Sequence, residues 1–136
     1  MKRVTGIGGV FFKAKDPEKL AAWYKQHLGL EFDSETSAVF SCPETKEEQK
    51  IAQTVWTAFP ADTKYFNPSS APFMINYRVE NLDSLLKLLK SEGVEVDEHT
   101  EEFEYGRFGW IMDPEGNRIE LWEPATPFED GLSADS

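Results

Sequence analysis

The sequence predicts a single α+β domain built from two similar halves, and three observations carry that prediction. A chain of 136 residues has the length of one compact domain. Strand-like runs of β-branched and aromatic residues alternate with two segments of helical periodicity. The order strand, capped helix, glycine, strand also occurs twice, at an offset of 65 residues when Asp16 is laid over Asn81. An ordinary α+β domain with two coincidentally similar β-α turns is the competing reading of that repeat.

The first half opens on VTGIGGVFFKA (4–14), which reads as a strand. Asp16-Pro17-Glu18 then supplies an N-cap side chain, a proline suited to the first helical position and an acid in the first turn. Leu20, Ala21, Trp23, Tyr24, His27 and Leu28 recur at helical spacing, and Gly29 stands where a left-handed cap is wanted. Strands are expected over 30–33, 38–42 and 51–59, with the charged ETKEEQK as a solvated loop. The turn-rich PADTKYFNPSSAP (60–72) reads as a linker.

The second half begins with FMINYRV (73–79), followed by the cap Asn81 and a helix whose apolar face holds Leu82, Leu85, Leu86 and Leu89, closed at Gly93. VEVDEHT alternates apolar and polar side chains, and GRFGWIM and RIELWEP are two strands joined by the turn-forming Asp113-Pro114-Glu115-Gly116-Asn117. Domain bounds follow: a single domain over 1–124, with its first module over 1–66, the linker over 60–72, the second module over 73–124, and an aperiodic tail over 125–136.

Composition narrows the function classes. A net charge of −11 repels phosphate backbones and anionic lipid surfaces, so neither nucleic acid nor membrane is an expected partner. The one cysteine, Cys42, cannot close an intramolecular disulfide, which suits a reducing, cytoplasmic setting. The basic start and apolar run at the N-terminus lack a small-residue cleavage site, and no stretch reaches the roughly 18 apolar residues of a membrane span. GIGG is followed by a strand rather than a helix, so it is no dinucleotide fingerprint; such glycines let a strand bend or a neighbour approach closely. P-loop, GxSxG and HExxH strings are absent.

Two strings carry a resemblance. KDPEKLAAWYKQHLGLEF, an acid-capped helix ending in Leu-Gly, and YGRFGWIMDPEGNRIELWEP, a closing hairpin of the form DPxGNxIEL, resemble the glyoxalase, bleomycin-resistance and dioxygenase group of the vicinal oxygen chelate superfamily. With VENLDSLLKLLKSEGVEV the similarity covers about residues 4–124. It implies two βαβββ modules in tandem, forming a curved, open, barrel-like sheet around a cleft, and a homodimer. Metal-using members hold ligands about seven residues before the helix-opening acid and on the last strand of each module. Those places fall here on Gly9, Thr54, Met74 and Glu120, of which Glu120 alone is a usual ligand; Gln53 lies one residue out of register, on the opposite strand face. No resident cofactor is therefore expected, and a divalent metal is the alternative.

Glu120 is the candidate catalytic residue, since apolar neighbours raise a carboxyl pKa and suit it to proton transfer, with a structural hydrogen bond as the equally weighted rival role. Phe12, Trp56, Met74, Trp110 and Trp122 are the expected aromatic and apolar cleft wall, and Arg107 is a candidate carboxylate receptor or a partner of Glu101, Glu102 or Glu104. His27 reads as packed on its helix, His99 as part of a charged strand edge, Tyr105 as a pocket donor or a half-buried ring, and Cys42 as unactivated. The leading expectation is a small-molecule binding protein or metal-independent enzyme. The alternatives are a metal-dependent glyoxalase-type lyase, isomerase or dioxygenase, and a sequestering protein of the bleomycin-resistance kind without turnover.

Overall fold

A computed structural model describes residues 3–43 and 51–125. ETKEEQK, the Cys42 side chain and residues 126–136 lie outside the described residues. In chain order the elements are β1 (Val4–Ala14), α1 (Pro17–Leu28), β2 (Ser37–Pro43), β3 (Ile51–Pro60), β4 (Phe73–Val79), α2 (Leu82–Ser91), β5 (Glu95–Val96), β6 (Glu101–Phe103), β7 (Gly106–Met112) and β8 (Arg118–Pro124).

Both helices start where the sequence places them. The Asp16 carboxylate accepts from the Lys19 N–H at 3.1 Å and the Asn81 side-chain oxygen from the Ser84 N–H at 3.1 Å, each satisfying an amide the first helical turn leaves free. Gly29 closes α1 at φ 71°, a conformation that a side chain disfavours. The second helix reaches its C-cap at Glu92, one residue before the positive-φ Gly93. The strand expected over 30–33 is a single bridge, Phe32 to Ala38, and VEVDEHT contributes only the two residues of β5 to the sheet.

The strands form one open, eight-stranded mixed sheet in the order β2-β3-β1-β4-β8-β7-β5, with β6 beside β7. Its plan is doubled: β1 runs parallel to β3 and β4 parallel to β8, and the halves join where β1 lies antiparallel to β4. The period of two along each strand then splits the side chains between two faces. Val10, Phe12, Ala38, Trp56 and Ala58 pack with Ala21 and Tyr24 of α1. Tyr77, Val79, Ile111, Ile119 and Leu121 pack with Leu82, Leu85 and Leu86 of α2. The alternate residues face the other side, where Phe66, Met74 and Trp110 are buried beside Phe11, Phe59 and Phe108. That helix-free face is the cleft.

The segment expected as a linker between the halves does more than connect them. Phe66 from it is fully buried against Met74 and Trp110, and the Lys13 N–H donates to the Pro72 carbonyl at 2.8 Å. An aromatic ring in a turn-rich stretch thus becomes part of the cleft core, because the strands on either side present apolar faces that need covering.

Candidate functional site

The cleft holds a cavity of about 340 Å³, the size of a small-molecule site. Phe11, Ser37, Val55, Thr57, Phe59 and Tyr65 line it from the first half and the connecting segment; Asn76, Phe103, Tyr105, Phe108, Glu120 and Trp122 line it from the second. Phe59 stacks on Tyr65 with centroids 5.5 Å apart, and Phe108 on Trp122 at 5.9 Å, so the ring surfaces are set by their neighbours before any ligand arrives.

Glu120 lies at the buried centre, 2% exposed. Its Oε2 accepts from the Tyr65 hydroxyl and, at 3.0 Å, from Trp110 Nε1; its Oε1 accepts from Asn76 Nδ2 at 2.6 Å. Burial raises the Glu120 pKa above the ordinary carboxylate range, and the three hydrogen bonds together with the nearby Arg118 charge pull the other way. Burial and the adjacent carboxylate push the Tyr65 phenol up as well, so Tyr65 stays a neutral donor. The group can therefore hold a proton or accept a ligand's hydrogen bond at a carboxyl that is itself shielded from water.

The strand β8 presents Arg118, Glu120 and Trp122 on one face, and β4 presents Met74, Asn76 and Arg78 alongside, with Asn76 paired to Glu120 in register. The glycines of β1 make this crowding possible. A Cβ on Gly8 would overlap Asn76 Oδ1 and come within 2.8 Å of Trp122, and one on Gly6 would overlap the Arg78 guanidinium. GIGG is thus a strip over which side chains from β4 lie, and Arg78 Nη1 crosses it to donate to the carbonyls of Ile7 and Gln53, both at 2.7 Å.

Several expected positions move. Phe12 and Trp56 face α1 rather than the cleft, their rings 5.1 Å apart in the helix-side core, because Phe11 and Val55 take the inward parity. Met74 and Trp110 lie on the cleft side but beneath its surface, both buried, and Trp110 reaches the site as a donor to Glu120. Trp122 lines the cavity. Arg107 points to the α2 side, outside the cavity lining, and forms a two-pronged pair with Asp83 at 2.7 and 2.9 Å rather than with the expected glutamates. His99 bonds Glu101 at 2.8 Å and stacks on Trp110 at 5.9 Å, and His27 packs on Trp23. Tyr105 is an exposed rim residue of the cavity.

The residues sequence reasoning passed over are Tyr65 and Asn76. Asn76 is legible as a polar side chain two residues after Met74 in the run FMINY, on the same strand face. Tyr65 sits in irregular chain, where no periodicity reports direction.

Among the described residues that line the cleft, Glu120 is the one usual metal donor. The position opposite Glu120 in the first half is not Thr54, whose hydroxyl donates to the Ile7 carbonyl at 2.9 Å; Val55 and Thr57 face the cleft instead. Gly8 and Gly9 carry no donor, and the space a ligand side chain would need at Gly8 is taken by Asn76. Both oxygens of Glu120 are already engaged by N–H and O–H donors, and no group of three His, Cys, Asp or Glu converges among the described residues. Divalent ions of the catalytic kind need about three or four such donors.

The chain matches the Glyoxalase/Bleomycin resistance protein/Dioxygenase superfamily over residues 6–121 and belongs to it. Among solved structures it resembles methylmalonyl-CoA epimerase from Mycobacterium tuberculosis, at 25% identity and a TM-score of 0.62, covering 96% of this chain and 95% of that one. A methylmalonyl-CoA epimerase in complex with methylmalonyl-CoA and NH4+ aligns at 16% identity and TM-score 0.66 over 90% and 96% of the two chains. The Mn(II)-bound glyoxalase from Novosphingobium aromaticivorans aligns at 19% and 0.58, over 90% of this chain and 40% of the larger protein. No curated protein sequence matches it.

Proposed function

We propose that the chain binds a small organic molecule in the aromatic cleft without a resident metal, as a metal-independent enzyme or a binding protein. The observation that carries this reading is the engagement of Glu120. In a cavity of about 340 Å³ the one carboxylate among the described lining residues is held by Tyr65, Asn76 and Trp110, an arrangement that positions a proton acceptor rather than an open metal ligand. The metal-dependent alternative takes its support from the Mn(II)-bound glyoxalase among the structural neighbours, whose similarity to this chain is one of fold. A cytoplasmic setting is supported by the single cysteine, and no helix of the described residues is long and apolar enough to cross a membrane.

Elemental analysis of the purified protein tests the reading directly. It should show no stoichiometric zinc, manganese, nickel or iron, and a chelator should leave the melting temperature unchanged, since a metal bound only to the folded state stabilises it in proportion to its affinity. Near one metal per chain, lost together with stability on chelation, would overturn it.

A further inference from the structure

Deepening the reading of a metal-free ligand cleft, on which it rests, we propose that the cavity selects an aromatic molecule carrying a hydrogen-bond donor, neutral or cationic, over a carboxylate or phosphate. The first ground is Asn76. An ionised Glu120 only accepts hydrogen bonds, so the Asn76 amide turns its Nδ2 to Oε1, and Oδ1 is left buried with no partner. The residue is 2% exposed and lines the cavity, and its Oδ1 lies against Gly8, in the place a side chain there would fill. A buried carbonyl without a partner is costly, and a ligand N–H or O–H arriving there removes that cost.

The second ground is charge. Glu120 is the one acid lining the cavity among the described residues, and no Lys, Arg or His lines it. The nearby guanidiniums are engaged elsewhere: Arg78 on the Ile7 and Gln53 carbonyls, Arg118 on Asp97 at 3.3 Å and over the Trp110 ring at 5.1 Å. With a chain net charge of −11, nothing in the lining offers a carboxylate or phosphate the cationic fork such groups need. The third ground is the wall. Phe59 with Tyr65 and Phe108 with Trp122 present aromatic surface, which favours flat rings and attracts a cation by its quadrupole.

Isothermal titration with four probes of one shape tests this: 2-naphthylmethylammonium, 2-naphthylmethanol, the methyl ether of that alcohol, and 2-naphthoate. The ammonium and the alcohol should bind about tenfold or more tighter than the ether, the value of one well-placed hydrogen bond in a buried site, with naphthoate weakest. Asn76→Leu, similar in shape but without the acceptor, should bring the alcohol and the ether to equal affinity. Should that variant fail to fold by circular dichroism, the comparison of alcohol, ether and naphthoate on the native chain decides alone. Equal binding of all four overturns the donor preference but leaves a ligand cleft in place, and tightest binding by naphthoate overturns it outright. If none of the four binds, the small-molecule reading of the cleft falls with it.

Discussion

At the scale of single residues, Glu120 concentrates the competing forces of the site. Desolvation favours its protonated form and three donors favour its ionised form, with burial the stronger, so its folded pKa lies above the unfolded value. The sign follows from linkage: stability contributed by such a group is complete below the unfolded pKa and is lost as pH rises through the folded one. A Glu120→Gln variant does not titrate there. Its melting temperature relative to the native chain should therefore climb as pH rises above the ordinary glutamate value of about 4.3. A relative melting temperature that falls instead would show the donors outweighing burial. The same variant should also weaken ligand binding more than Glu102→Gln or Glu104→Gln, because those side chains are exposed and keep their water. Unchanged binding in a folded Glu120→Gln protein would make the carboxylate structural only.

At the scale of elements, the two helices are anchored differently from how they are started. Leu82 is fully buried in the cluster that joins α2 to β4, β7 and β8, and its N–H is also held by the Glu123 carboxylate at 2.8 Å. Leu82→Ala should cost about 2–5 kcal/mol in chemical denaturation, as large-to-small core changes do. Asp16→Ala removes only a cap from an exposed helix start and should cost about 1 kcal/mol. A reversed order of the two losses would mean that capping rather than packing holds the helices to the sheet. The cap positions were legible because an N-cap is local chemistry, readable from Asp16-Pro17 and from Asn81. The inward parity of β1 and β3 was not: β1 shifts register against β4 between Ile7 and Gly9, and a shift of one residue exchanges the faces of every side chain beyond it. Phe12 lies beyond that shift; on β3, which pairs with β1 in unbroken register, Trp56 faces α1 because Val55 and Thr57 take the cleft side.

At the scale of the whole molecule, the doubled sheet leaves β2 and β5 at its edges. Open edges and exposed rim aromatics such as Phe103 and Tyr105 gain from being covered, and closed dimers are the commonest way chains of this size do so. Light scattering at micromolar concentration should give about twice the 15.5 kDa chain mass. A monomer throughout that range would leave the edges to solvent and end the dimer proposal.

The sequence by itself determined what depends on neighbours along the chain. The capped helix starts, the Asp113 turn, the two-part order of elements and the membership that KDPEKLAAWYKQHLGLEF and DPEGNRIELW resemble all rest on local spacing, which folding preserves. It also marked Glu120, since a carboxylate in the apolar run RIELW invites a buried role. Tertiary structure alone decided what Glu120 touches. Tyr65 reaches it from 55 residues away in irregular chain, Asn76 from the neighbouring parallel strand, and Trp110 across a hairpin. Those contacts are set by sheet register and by the packing of Phe66 into the cleft core, and neither leaves a period in the sequence.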